Sequence, residues 1–112
     1  PGASQLGPPA ALVYIYSRSL TGLSVRAPVN QDRSILVHSL VAACGLLGED
    51  GFRVLDADPA TDEQLAAFHS PAYVRALSAW EGLSERELER FGLEYDCPPF
   101  PGLGEYCRLV AG

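Results

Sequence analysis

Asp96 stands in the stretch 93–101 (LEYDCPPFP), where three prolines in nine residues must make a loop. An ionised carboxylate only accepts hydrogen bonds, and its two oxygens can hold two successive N–H groups of a partner. The competing reading is local: Asp96 opens an Asx-turn before Pro98. Tyr95 beside it either edges the same binding surface or packs within the loop. Arg33 is permanently charged and suits a small carboxylate; alternatively it is an exposed arginine in a first helical turn. Tyr14 and Tyr16 read as core aromatics and His38 as a hydrogen-bonded helix histidine. His38 and His69 are the only histidines. Cys44, Cys97 and Cys107 form no CxxC pair and match no zinc-ribbon spacing, so the metal-ligating residue types are present but dispersed. Cys97 invites a nucleophile reading, but no base or orienting third group lies near it in sequence. No complete set of nucleophile, base and stabiliser is present, which makes an independent small enzyme the weakest reading.

Composition narrows the classes. The 112 residues carry 14 acids against eight basic residues, all of them Arg, for a net charge of -6. The charge is uneven, with a net of +2 over residues 1–48 and -8 over 49–112. That balance argues against direct nucleic-acid binding, which needs clustered positive charge. It fits a solvated acidic surface or an attraction for cationic partners. Hydrophobic residues make up 47%, enough for a core. No apolar run reaches the roughly 18 residues of a membrane span. The first ten residues lack the basic start and apolar run of a secretion signal, and the odd cysteine count predicts free thiols in a reducing compartment.

The elements that must position these residues follow from pattern. Residues 1–10 (PGASQLGPPA) predict a disordered tail, and 11–112 a single unit. Ala11–Ser17 (ALVYIYS) predicts a strand buried on both faces, as in a parallel sheet. Residues 18–31, with Gly22, Pro28 and Asn30, predict a loop. Ile35, Leu36, Leu40, Val41, Cys44 and Leu47 recur mostly at helical steps, so a helix with one apolar stripe is predicted over Asp32–Leu47, with Asp32 as N-cap or first-turn acid and Gly48 as the stop. Phe52–Asp56 predicts a second strand, parallel to the first. Thr61 with Gln64 is a capping box for a short helix through Phe68. Ser70-Pro71 opens a helix to about Trp80. Ser84 with Glu87 caps another, ended by Gly92, whose i,i+4 pairs are like-charged and unfavourable. A last helix is predicted over Leu103–Leu109. Two strands leave two open edges and little cover for these helices, which predicts an incomplete α/β domain. The absence of Met and the start at Pro1 point the same way, to a fragment.

Four segments in order resemble the class I histone deacetylases: VYIYS (Val13–Ser17), Arg33 with VHSL (Val37–Leu40), FHSPAYVRAL (Phe68–Leu77) and GLEYDCPPFPGLGEYC (Gly92–Cys107). The pairing of YIYS with VHSL and the Tyr before Asp-Cys-Pro lean toward the histone deacetylase 8 branch; the Cys107 helix leans toward the other class I members. The resemblance runs from about Val13 to Gly112. It implies an arginase/deacetylase-like parallel-sheet domain with flanking helices, of which this chain is an N-terminal portion. It implies zinc-dependent hydrolysis of N6-acetyl-lysine in acetylated peptides or histone tails, in transcriptional repression and chromatin regulation, in the nucleus and also the cytoplasm. It places Asp96, with Tyr95, at the substrate entrance, where Asp96 accepts hydrogen bonds from substrate backbone amides. It places Arg33, Tyr14, Tyr16 and His38 along an internal channel that passes acetate or water. His69 is implied to be structural. The family's Asp-x-His zinc motif and adjacent His-His do not occur here. The resemblance therefore implies zinc in the full-length parent, no catalytic or metal residue in this stretch, and an inactive fragment. The alternative is a non-catalytic truncated product acting as an interaction module.

Overall fold

A computed structural model describes residues 12–48 and 52–112. The predicted tail over 1–10, and Ala11 at the head of the first predicted strand, lie outside them. Strand β1 (Leu12–Ile15) is followed by helix α1 (Arg18–Ser24), helix α2 (Arg33–Ala43) and a short 3-10 turn (Leu46–Gly48). Strand β2 (Phe52–Leu55) then pairs parallel with β1, in register from Leu12 opposite Phe52 to Ile15 opposite Leu55. Helices α3 (Asp62–Ala66), α4 (Pro71–Ser78), α5 (Glu85–Arg90) and α6 (Leu103–Ala111) complete a mixed α/β arrangement of two strands and six helices among the described residues.

Local chemistry explains most boundaries. Thr61 Oγ1 accepts the Gln64 N–H at 3.1 Å while Gln64 Oε1 accepts the Thr61 N–H at 2.9 Å, a complete capping box for α3. Ser70 Oγ accepts the Tyr73 N–H at 3.3 Å, and Pro71 occupies the first turn of α4 without sacrificing a bonded donor. Ser84 and Glu87 form the second box, at the start of α5.

The predicted loop over 18–31 is corrected: its first half is α1. Ser17 caps it by accepting the Leu20 N–H at 3.2 Å, and Leu23 and Ser24 are buried. The run RSLTGLS has poor helix propensity, so tertiary packing against α6 stabilises what local preference does not. Helix α2 ends at Ala43, not Leu47. Gly45, at φ 73°, meets the chain first, and Gly48 falls in the 3-10 turn rather than serving as the stop. Asp32 holds the cap position of α2 without a side-chain cap bond.

The core sits in the helical half. Ala27, Leu77, Leu93, Phe100 and Leu103 form one buried cluster, and Ala60, Leu65 and Val74 a second. Helix α6 is the hub: Gly102 and Gly104, at its start, bring it against α1 and α4. A Cβ on Gly102 would lie 2.8 Å from Leu23 Cδ2, and one on Gly104 3.0 Å from Ser78 Cα. The expected two-sided burial of β1 is not observed. Leu12, Val13 and Ile15 are each about half exposed, and α2 has no buried residue, with Leu36 and Leu40 both 65% exposed. Among the described residues nothing covers these surfaces. The radius of gyration, 17.2 Å, also exceeds the about 13 Å of a compact domain of this length.

Candidate functional site

Asp96 lies at the tip of a tight turn. The Cys97 N–H donates to the Glu94 carbonyl at 2.9 Å, which makes Tyr95 and Asp96 the two central residues. Tyr95 has φ 46°, the one non-glycine positive φ among the described residues, in the conformation that tight turns demand and side chains disfavour. Its ring is 87% exposed, and Asp96 is exposed beside it. The Asx-turn reading fails on covalent grounds. The backbone positions two and three residues beyond Asp96 are Pro98 and Pro99, and neither has an N–H to give. Among the described residues no hydrogen bond reaches the Asp96 carboxylate, so both oxygens are free acceptors facing solvent.

The second group forms between β1 and α2. Tyr14 and Tyr16 are two residues apart in extended chain and so share a face. That face meets α2: the Tyr14 hydroxyl and His38 Nδ1 are hydrogen-bonded, and the His38 ring packs edge-on to Tyr14 at 5.5 Å and Tyr16 at 4.9 Å. Tyr16 and His38 line a hollow of about 240 Å³ with Thr21, Ile35, Ala42 and Leu47. Arg33 is placed apart from this trio. It is exposed at the start of α2 and lines a different, open groove of about 390 Å³ with Asn30, Asp32 and Leu36. The structure thus groups Tyr14, Tyr16 and His38, keeps Tyr95 with Asp96, and leaves Arg33 in a groove of its own.

Other polar groups emerge only in three dimensions. Arg108 of α6 ion-pairs with Asp62 of α3, donates to Ser78 Oγ of α4 at 3.0 Å and to the Gly104 carbonyl at 3.1 Å. Its own carbonyl accepts the Ala60 N–H at 2.8 Å. This arginine ties three helices together, and nothing in its local sequence signals that. His69 is exposed, edge-on to Phe68 at 4.8 Å and tilted against Tyr73 at 5.3 Å. Burial pushes the Tyr73 phenol up, and the thiols of Cys107 and Cys97 push it the same way. Burial likewise raises the Cys107 thiol, partly opposed by Arg108. Cys44 and Cys97 are free and exposed.

The metal reading has a direct test in the donor set. Among the described residues no three His, Cys, Asp or Glu side chains converge as a ligand group. A zinc centre needs three or four. The described residues therefore offer no ligand set of their own for zinc. Among them, too, no helix is long and apolar enough to cross a membrane.

The family model for the histone deacetylase domain matches residues 27–112. Histone deacetylase 8 of Xenopus tropicalis is 38% identical over 105 residues, covering 89% of this chain and 28% of that protein. Histone deacetylase 2 of Oryza sativa subsp. japonica is 39% identical over 89 residues, 76% of this chain and 18% of its own length. Histone deacetylase RPD3 of Saccharomyces cerevisiae is 30% identical over 107 residues, 90% of this chain and 24% of its own length. The chain thus spans less than a third of the curated relatives it matches. With the family model covering most of its residues, the chain belongs to the histone deacetylase domain family.

Proposed function

We propose that this chain is the substrate-entrance and channel-wall part of a zinc-dependent lysine deacetylase that hydrolyses N6-acetyl-lysine in histone tails or other acetylated peptides. The protein acts in the nucleus and also the cytoplasm, in transcriptional repression. The zinc ligands and the His-His dyad are supplied by residues outside these 112. No step of metal chemistry is assigned to the residues present. Their part is to hold the peptide and to line the way out for the small product.

The observation that carries this reading is the Asp96 carboxylate: exposed at a turn tip, with the usual local donors removed by Pro98 and Pro99. A carboxylate in that position suits two successive N–H groups of an extended peptide. Tyr95, held at positive φ beside it, supplies an aromatic edge to the same entrance. Tyr14, Tyr16 and His38 supply a polar-tipped wall for acetate or water, and Arg33 a fixed positive charge near the start of α2 that attracts acetate.

The test is Asp96→Asn in the complete gene product that carries these residues. The substitution keeps shape but turns one acceptor oxygen into a donor NH₂ facing a substrate N–H. Loss of a charge-assisted hydrogen bond costs about 1.5–3 kcal/mol, on the order of a ten- to hundredfold fall in kcat/KM on an acetylated peptide. Zinc content stays unchanged. A small acetylated amide or ester without flanking peptide N–H groups loses much less. Equal losses on both substrates mean that Asp96 shapes the loop instead of gripping the peptide, and the reading fails.

A further inference from the structure

We propose that Phe100 is a positioning residue for the Tyr95–Asp96 turn, an inference that rests on the reading of Asp96 as the group that grips the peptide. The turn has two limbs, and they are held differently. The upstream limb is anchored by both backbone and side chain: the Leu93 N–H donates to the Leu88 carbonyl at 2.9 Å, and Leu93 is 5% exposed. The downstream limb runs Cys97-Pro98-Pro99-Phe100-Pro101. Pro98, Pro99 and Pro101 have no N–H, so no backbone donor between the Cys97 N–H that closes the turn and Phe100 can fasten this limb. Side-chain burial has to do so instead. Phe100 is 6% exposed and belongs to the same buried cluster as Leu93 and Leu103. Its ring meets Tyr106 of α6 edge-on, at 5.6 Å between centroids and 66° between planes, a favoured aromatic geometry. Its carbonyl accepts the Leu103 N–H at 3.0 Å, which leads the chain into α6. Leu93 and Phe100 thus pin the two feet of the turn in one core, and the prolines between Asp96 and Phe100 transmit that fixed position with little slack. Asp96 is presented to a peptide already in place.

The measurement compares two substrates on Phe100→Ala in the complete gene product. Misplacing a gripping group by a fraction of an ångström to an ångström raises KM and lowers kcat/KM for an acetylated peptide, here on the order of tenfold. The small acetylated amide that lacks flanking N–H groups changes little. Leu77→Ala is the control: Leu77 lies in the same buried cluster but on α4, outside the turn. It lowers the melting temperature while leaving the peptide-to-small-substrate ratio where it was. If Phe100→Ala does not fold, Phe100→Leu keeps an apolar side chain but loses the edge contact with Tyr106, and it shifts the ratio in the same direction by less. An unchanged ratio in the folded Phe100 variants, or an equal shift in Leu77→Ala, overturns the inference. Asp96→Asn run alongside separates the two levels. A selective peptide loss there without one at Phe100 sinks only the positioning role, whereas no selective loss at Asp96 sinks both.

Discussion

Adding one methyl group at Gly104 should loosen the helical core, whereas the same addition at Gly22 should tighten it. At Gly104 the new Cβ would lie 3.0 Å from Ser78 Cα, 3.0 Å from Ser78 Oγ and 3.2 Å from the Leu77 carbonyl oxygen. Two of those three atoms are α4 backbone, which cannot rotate away, and the third is the hydroxyl that Arg108 holds. Relief requires α6 to move off α4. Overpacking of this kind costs about 1–3 kcal/mol. Helix propensity returns at most about 1 kcal/mol for Gly→Ala. The net is a loss of about 1 kcal/mol. Gly22 in α1 has nothing within 4 Å of its would-be Cβ, so only the propensity gain applies, about 0.5–1 kcal/mol. Amide hydrogen exchange by mass spectrometry on the complete gene product reads both. Gly104→Ala should speed exchange in α4 and α6 about fivefold, at roughly 1.4 kcal/mol per decade. Gly22→Ala should slow it in α1. Unchanged or slower exchange in α4 and α6 of Gly104→Ala would refute the close-approach reasoning.

The Ser84 backbone N–H, and then its hydroxyl, hold the Glu87 carboxyl below the usual range. A lowered folded pKa gives stability that is present above the ordinary carboxyl value and lost as pH falls through the lowered one. Protection of α5 should therefore drop on acidification, and Glu87→Gln should flatten that dependence in an exchange-versus-pH series. A maleimide near neutral pH should modify exposed Cys44 and Cys97 before Cys107, whose thiol burial keeps protonated; peptide mapping that finds Cys107 modified first would contradict this. The 112 residues expressed alone should show no deacetylation, no stoichiometric zinc and a tendency to aggregate through the half-exposed strands. A monodisperse monomer with a sharp melting transition would count against it.

What the sequence made legible is what is decided within a few residues. The caps at Thr61, Ser70 and Ser84 each join a donor and an acceptor three positions apart, and all three stand as the pattern predicts. The strands were readable because β-branched and aromatic residues cluster there, and their parallel pairing followed from the helix between them. Alternation also put Tyr14 and Tyr16 on one face. Helix α1 was not legible: its residues prefer other states, and its stability comes from Leu23 and Ser24 meeting α6 some eighty positions later. The stop of α2 was misplaced because Gly45 and Gly48 are equivalent as letters, and only the backbone shows which turns left-handed. The free state of the Asp96 carboxylate lay in plain view, in the two prolines after it. The separation of Arg33 from the Tyr14, Tyr16 and His38 group depends on groove shape and could not be read from spacing.

Arg108 uses its carbonyl on Ala60 and its guanidinium on Asp62 and Ser78, so one late residue closes contacts to a segment made much earlier. Asp62 precedes it by 46 positions. At a synthesis rate of about 5–20 residues per second, α3 leaves the ribosome roughly 2–9 s before its latch exists. Helices of five and eight residues are too short to persist alone for that long. During the interval the nascent segment is a client for whatever chaperone waits at the exit tunnel, and a pause in translation just before the codon for Arg108 would lengthen that exposure in direct proportion.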